Sequence, residues 1–247
     1  MNIKMMVVVM LGLWVMIVSP AHAGLVLGKT RIIYHQSDRV QNISLQNSGS
    51  DVYLIQAAVT PWGSSTSHSS VFIVLPPLFR IEGNSSNVMR IIRTGGDFPT
   101  DRESLYSFRI NAIPARGMPT GEGEANKQQE GVAASLSISL GMNIKFIYRP
   151  DGLSVTPKQA YARLTFTRTG NTVVVTNPTP YYQTFAQLKL DGEKVNLNKN
   201  PSMLAPFAQA TFSLTGLAGN SDGKVTWSMI TDAGGVSELQ SGMLHTH

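Results

Sequence analysis

Beyond residue 23 this chain has no long apolar segment and no stretch with a convincing 3.6-residue period, which argues against any helical architecture. Its apolar residues come instead in short runs rich in Val, Ile, Phe and Tyr, broken by Gly, Pro, Asn and Ser. That is the texture of strands and turns. In Tyr106-Ser107-Phe108-Arg109-Ile110 the apolar side chains fall at every second position, the period of a half-buried strand. Runs at 30–34, 40–45, 52–59, 72–75, 88–92, 105–113 and 136–148 predict a first set of strands. Roughly seven short strands in a row suit an antiparallel sandwich. A second set is predicted at 162–167, 172–176, 185–190, 210–214 and 225–230, with Asn177-Pro178-Thr179-Pro180 as a turn. Between the sets, Arg149-Pro150-Asp151-Gly152 ends a strand and redirects the chain. The expectation is therefore all-β, with domains at 24–150 and 151–247 and no obvious internal repeat.

The first 23 residues read differently. Lys4 precedes an almost unbroken apolar run from Met5 to Val18, and Ala21-His22-Ala23 is a small-x-small cleavage site. That order predicts an export signal, 1–23, with Gly24 starting the mature chain. The run is shorter than the roughly 20 residues a spanning helix needs, so no membrane insertion is expected after cleavage. There is no cysteine. In an exported chain this excludes a disulfide scaffold, a thiol nucleophile and thiolate metal ligands. The formal charge is +5, one less once Lys4 leaves with the signal, and no run of Lys or Arg exceeds two residues. With export, that argues for solubility and one local anion site rather than for nucleic acid.

Catalytic and cofactor motifs are missing too. The Gly-rich segment 115–134 has Lys127 followed by Gln128, whereas a phosphate loop requires Lys followed by Ser or Thr. It reads as a loop joining two strands. No Gly-x-Ser-x-Gly, His-Glu-x-x-His or dinucleotide fingerprint occurs. His35 and His68 sit in polar contexts, His22 belongs to the signal, and His245 and His247 read as a frayed terminus. The expectation is no catalytic residue, no cofactor and no metal.

Several motifs recur in one order: Thr30-Arg31-Ile32-Ile33-Tyr34, Pro76-Pro77-Leu78-Phe79-Arg80-Ile81-Glu82, Asp101-Arg102-Glu103-Ser104-Leu105, Ile144-Lys145-Phe146-Ile147-Tyr148-Arg149-Pro150 and Thr176-Asn177-Pro178-Thr179-Pro180-Tyr181-Tyr182. Together they resemble the periplasmic pilus-assembly chaperones over nearly all of the mature chain. The resemblance implies two immunoglobulin-like β-sandwich domains in an L shape with a cleft between them. It implies a non-enzymatic chaperone for pilus (fimbrial) subunits that delivers them to an outer-membrane usher. The long segment before the 136–148 strand, without the cysteine pair of the family's long-loop class, places the chain with the short-loop class bearing an insertion.

The same resemblance assigns residues. Leu136, Ile138 and Leu140, with Ser137 and Ser139 between them, match the strand donated to a subunit that lacks its last strand. Periodicity alone favours an ordinary sandwich strand with its apolar face in its own core. Arg31 and Lys145 match the basic pair that grips the subunit's terminal carboxylate, although lone Arg and Lys residues are usually solvated surface charges. Lys145 lies an odd number of residues from the three aliphatics, so it faces the other way unless Gly141 hosts a bulge. Glu103, Arg149 and Asp232 match an interdomain ion network; as paired acids they also admit a glycosidase reading, which the motif context disfavours. Exposed apolar positions leave room for self-association of the free protein. The competing reading is a structural pilus subunit or adhesin. That would be a single incomplete sandwich with an N-terminal donor extension, whereas here a strand follows Gly24 within a few residues.

Overall fold

The computed structural model describes residues 24–64, 71–115, 138–213 and 223–246. The signal segment, Leu136, Ser137, His68, His247 and most of the Gly-rich segment lie outside these residues. Two sheets enclose the first core. One has the order β1 (Leu25–Leu27), β3 (Gln41–Asn47), β7 (Ser85–Arg93), β5 (Phe72–Leu75). The other runs β2 (Arg31–His35), β9 (Leu140–Arg149), β8 (Ser104–Pro114), β4 (Tyr53–Pro61), β6 (Leu78–Ile81). Alternation builds the interior: Ile43 and Leu45 from β3, Ile55, Ala57 and Val59 from β4, and Phe108, Ile110 and Ala112 from β8 all point inward. Phe72 sits among the rings of Tyr34, Tyr106 and Phe146, each met edge-on.

The second domain is one curled eight-stranded sheet wrapped around its own core. Its path is β13 (Glu193–Lys194), β12 (Gln183–Leu190), β16 (Gly223–Met229), β17 (Gln240–Thr246), β10 (Thr165–Thr169), β11 (Thr172–Thr176), β15 (Gln209–Ser213). β14 (Met203–Leu204) adds to β12. Trp227, Phe166, Phe212 and Leu188 are sealed inside. The helix content is slight, with one capped turn, α1 (Pro157–Ala160), at the entry to the domain.

A buried asparagine closes the same kind of corner in each domain. The Asn47 amide donates to the carbonyls of Asp51 and Glu82 and accepts from Gly49 N–H. Asn177 donates to Tyr181 and Ala205 and accepts from Thr179 N–H. Both are fully buried, and each pairs its amide with main-chain groups of the turn around it. The correspondence is a structural repeat that the sequence does not display.

The predicted strands appear with shifted ends, and the 136–148 strand begins at Leu140. β1, β6, β13, β14 and β17 were not expected. The largest correction is at the C-terminus. His245, read as frayed, lies in β17 opposite Thr167 of β10. β17 hides because its inward alternation is broken at Gly242. A Cβ there would press against the Trp227 ring at 3.2 Å, so the indole fills the space a side chain would otherwise mark.

Candidate functional site

The two faces of β9 have different duties. Its even positions, Phe146 and Tyr148, are buried in the first core, and Met142 and Ile144 pack partly against it. The same face then runs out past the core: Leu140 is 44% exposed and Ile138, just ahead of the strand, is 64% exposed. Pairing with β8 is unbroken from Ser104↔Tyr148 to Ala112↔Leu140. Asn111 faces Gly141 without a shift of register, so there is no bulge at Gly141 and Lys145 faces away from Leu140. On its other side β9 meets β2 only from Lys145 to Arg149. Among the described residues, the edge from Leu140 to Ile144 has no strand partner on that side.

The open edge ends at a pair of cations. Arg31 and Lys145 are register partners on adjacent parallel strands. The Arg31 guanidinium donates to the Ile230 carbonyl at 3.2 Å, and its Nε is buried with no partner among the described residues. The Lys145 ammonium donates to Thr184 Oγ1 at 3.1 Å. Burial, and then the charge of Arg31, pulls its pKa down to about 8. Burial also lowers that of Arg31, against the opposing pull of Asp232. Neither cation forms an ion pair among the described residues. Two partly desolvated cations side by side are an arrangement that a carboxylate would relieve.

The odd face of the sheet meets the second domain. Ile147 is buried outside both cores, between the cation pair and Arg149. Arg149 donates from Nε to Glu103 at 2.7 Å and from both terminal nitrogens to Asp232 at 2.7 and 2.9 Å. Its guanidinium also lies over the Tyr181 ring, 5.0 Å from the centroid. Glu103 is 3% exposed and accepts a further bond from Tyr182 N–H at 2.7 Å. Burial pushes its carboxyl up to about 7, only partly opposed by Arg149 and Tyr182. Arg149 is held above the ordinary arginine value because bonds to Asp232 and the charge of Glu103 outweigh its own burial. Burying such charges costs about as much as their pairing returns, so the network is weak evidence of added stability.

The structure places Arg31 beside Lys145, and Glu103 and Asp232 on Arg149, but what they lean on was not anticipated from the sequence. Thr184 and the Ile230 carbonyl hold the cations, and no motif marked them. Asn177-Pro178-Thr179-Pro180 was read as a turn; Tyr181 and Tyr182, which follow it, contact the ion network from the second domain. Gly234, with φ near +85°, lets the Thr231–Gly235 loop close against Thr30, where a Cβ would strike the Thr30 hydroxyl. Among the described residues no group of acids and histidines could hold a metal. No helix among them is long and apolar enough to cross a membrane.

Comparison with known proteins agrees with this architecture. Residues 24–154 match the family described as pili and flagellar-assembly chaperone, PapD N-terminal domain, and residues 159–241 match the pili assembly chaperone PapD, C-terminal domain. The chain is 34% identical to Chaperone protein FocC of Escherichia coli over 227 residues, 91% of this chain and 92% of that one. It is 34% identical to Chaperone protein PsaB of Yersinia pestis, over 85% of this chain and 80% of that one. A chain in the solved structure of the Salmonella enterica SafA pilin in complex with the SafB chaperone superposes with a TM-score of 0.74 at 33% identity, covering 90% of this chain and 96% of that one. The Escherichia coli chaperone DraB superposes with a TM-score of 0.72 at 32% identity, covering 90% and 96%. Two all-β domains in this order, matched along almost all of the described sequence, place the chain in the family of pilus-assembly chaperones.

Proposed function

We propose that this chaperone works in the periplasm by adding its β9 edge to pilus subunits, and that it hands them to an outer-membrane usher without catalysing a reaction. Leu140, Ile138 and, beyond the described residues, Leu136 enter the groove of an incomplete subunit sandwich. Backbone groups from 140 to 144 pair with the groove's edge. Each aliphatic side chain contributes at most about 1.5–3 kcal/mol on full burial. Arg31 and Lys145 hold the subunit's terminal carboxylate through charge-assisted bonds of roughly 1.5–3 kcal/mol each. Because a slip of one residue would swap the faces of the added strand, this anchor also sets register. Glu103, Arg149 and Asp232 hold the second domain at the angle that keeps the cleft open.

The observation that carries this reading is the strand edge left, among the described residues, without a partner from Leu140 to Ile144, running directly into two cations that form no ion pair among those residues. The similarity to a pilin–chaperone complex supports it. The test is co-expression with a pilin and recovery of the complex from periplasm. Lys145→Ala or Arg31→Ala should abolish recovery while the free chaperone stays folded by circular dichroism. Full recovery with both variants would remove the anchor from the reading.

A further inference from the structure

A second set of contacts crosses the domain junction next to the ion network. Arg102, immediately before Glu103, places its guanidinium 4.9 Å from the centre of the Phe207 ring. Asp101 fixes that guanidinium by two bonds, from Nε at 3.0 Å and Nη2 at 2.8 Å. Phe207 is an unusual partner. It sits in the left-handed region, φ near +56°, where a bulky residue is disfavoured, and it is 47% exposed. The turn that carries it is tied to the Asn177 corner. Phe207 N–H donates to the Thr179 carbonyl, Ala208 accepts from Asn177 N–H, and Ala205 accepts from the Asn177 side chain.

From that corner the chain leads straight to the cations. Tyr182 N–H is held by Glu103, and Thr184, two residues on, accepts from the Lys145 ammonium. The Thr184 carbonyl accepts from Ile230 N–H, and the Ile230 carbonyl holds Arg31. Arg102 and Glu103, neighbours in sequence, therefore grip one hydrogen-bonded unit of the second domain at two points.

We propose that Arg102 and Phe207 form a clamp that positions Thr184 and the Ile230 carbonyl against Lys145 and Arg31, so that both are positioning residues for carboxylate anchoring. This rests on the function proposed above. The strained backbone at Phe207 is retained because that conformation turns the ring onto the guanidinium, where a cation–π contact forms.

The test uses the full mature chain without any subunit. The ε-methylene NMR signal of Lys145 is followed through pH in the wild type, Arg102→Ala, Phe207→Gly, the double variant and Phe207→Tyr. Loss of the clamp lets water reach the ammonium, and its pKa should rise from about 8 toward the ordinary 10.5 by roughly half a pH unit or more. The double variant should rise no further than either single, and Phe207→Tyr should match the wild type. Phe207→Gly should do this without lowering the melting temperature, because glycine accommodates the left-handed backbone. An unchanged Lys145 titration in the double variant, or shifts that simply add, overturns the proposal. A synthetic pilin C-terminal peptide serves as the second readout, with the free carboxylate bound about threefold more weakly by either single variant. If the wild type binds free-acid and amidated peptides equally, the anchoring reading falls, and the Lys145 titration still judges the clamp.

Discussion

The two domains end on strands that are treated in opposite ways. β17, the last strand of the second domain, is paired on both sides, antiparallel with β16 and parallel with β10. Its inward residue Leu244 is completely buried. β9, the last strand of the first domain, is paired throughout with β8 but with β2 over only half its length. Its inward face continues into water through Leu140 and Ile138. An exposed edge flanked by apolar side chains is a liability for a soluble protein. Keeping one at β9 while closing its counterpart at β17 argues that the opening is the working part and the second domain is its support.

The largest test of this contrast is at the closed end. Leu244→Ala should destabilise the second domain by about 2–5 kcal/mol in urea denaturation. Leu140→Ala and Ile138→Asp should stay within about 0.5 kcal/mol while weakening subunit capture. A large stability loss at Ile138 would show that it belongs to the core and would erase the difference between the two ends. Next come the asparagine corners. Asn47→Ala and Asn177→Ala each remove two side-chain bonds to main-chain carbonyls and the acceptor of one N–H, and each should cost about 1–3 kcal/mol, read from the same denaturation curves. Unequal costs would mean that the two corners are only superficially alike.

A smaller effect follows from Lys145. Its folded pKa, about 8, lies below the ordinary 10.5, so the folded state binds this proton less readily than the unfolded chain does. The free chaperone should therefore gain stability as pH rises from about 8 to 10.5. Carboxylate capture needs the charged form and should weaken roughly tenfold per pH unit above 8, measured by calorimetry with a free-acid peptide. One ammonium then yields two trends of opposite sign; parallel trends would place the carboxylate elsewhere. The smallest effect is expected for Glu103→Gln. Burial of its charge nearly cancels the pairing, so thermal melting should change by less than about 1 kcal/mol. Glu103→Ala leaves Arg149 and Tyr182 N–H short of a partner and should cost about 3 kcal/mol.

What the sequence disclosed follows from how each signal is written. Phe108, Ile110 and Ala112 announce β8 because strict alternation records one buried face. β17 is silent because Trp227 occupies the place of its missing side chain at Gly242, and that substitution lies in another strand. Arg31, Lys145, Glu103 and Arg149 stand in the quoted motifs, as charged residues in fixed neighbourhoods, whereas Asp232 came from the family resemblance alone. Thr184, the Ile230 carbonyl and Phe207 were not legible, since a hydroxyl, a main-chain oxygen and a loop aromatic acquire meaning only when another domain is laid against them. The open edge was not written in periodicity, which favours core for Leu136, Ile138 and Leu140; only the family resemblance marked them as a donor strand, and the start of β2 at Arg31 shows where pairing stops among the described residues.

The paired asparagines have a consequence for how the molecule answers its surroundings. An amide carries no charge, so neither acidity nor ionic strength alters the pegs at Asn47 and Asn177, whereas the hinge between the halves is built of ions. A shift in the bathing medium should change how the two bodies lean on one another well before either loosens inside.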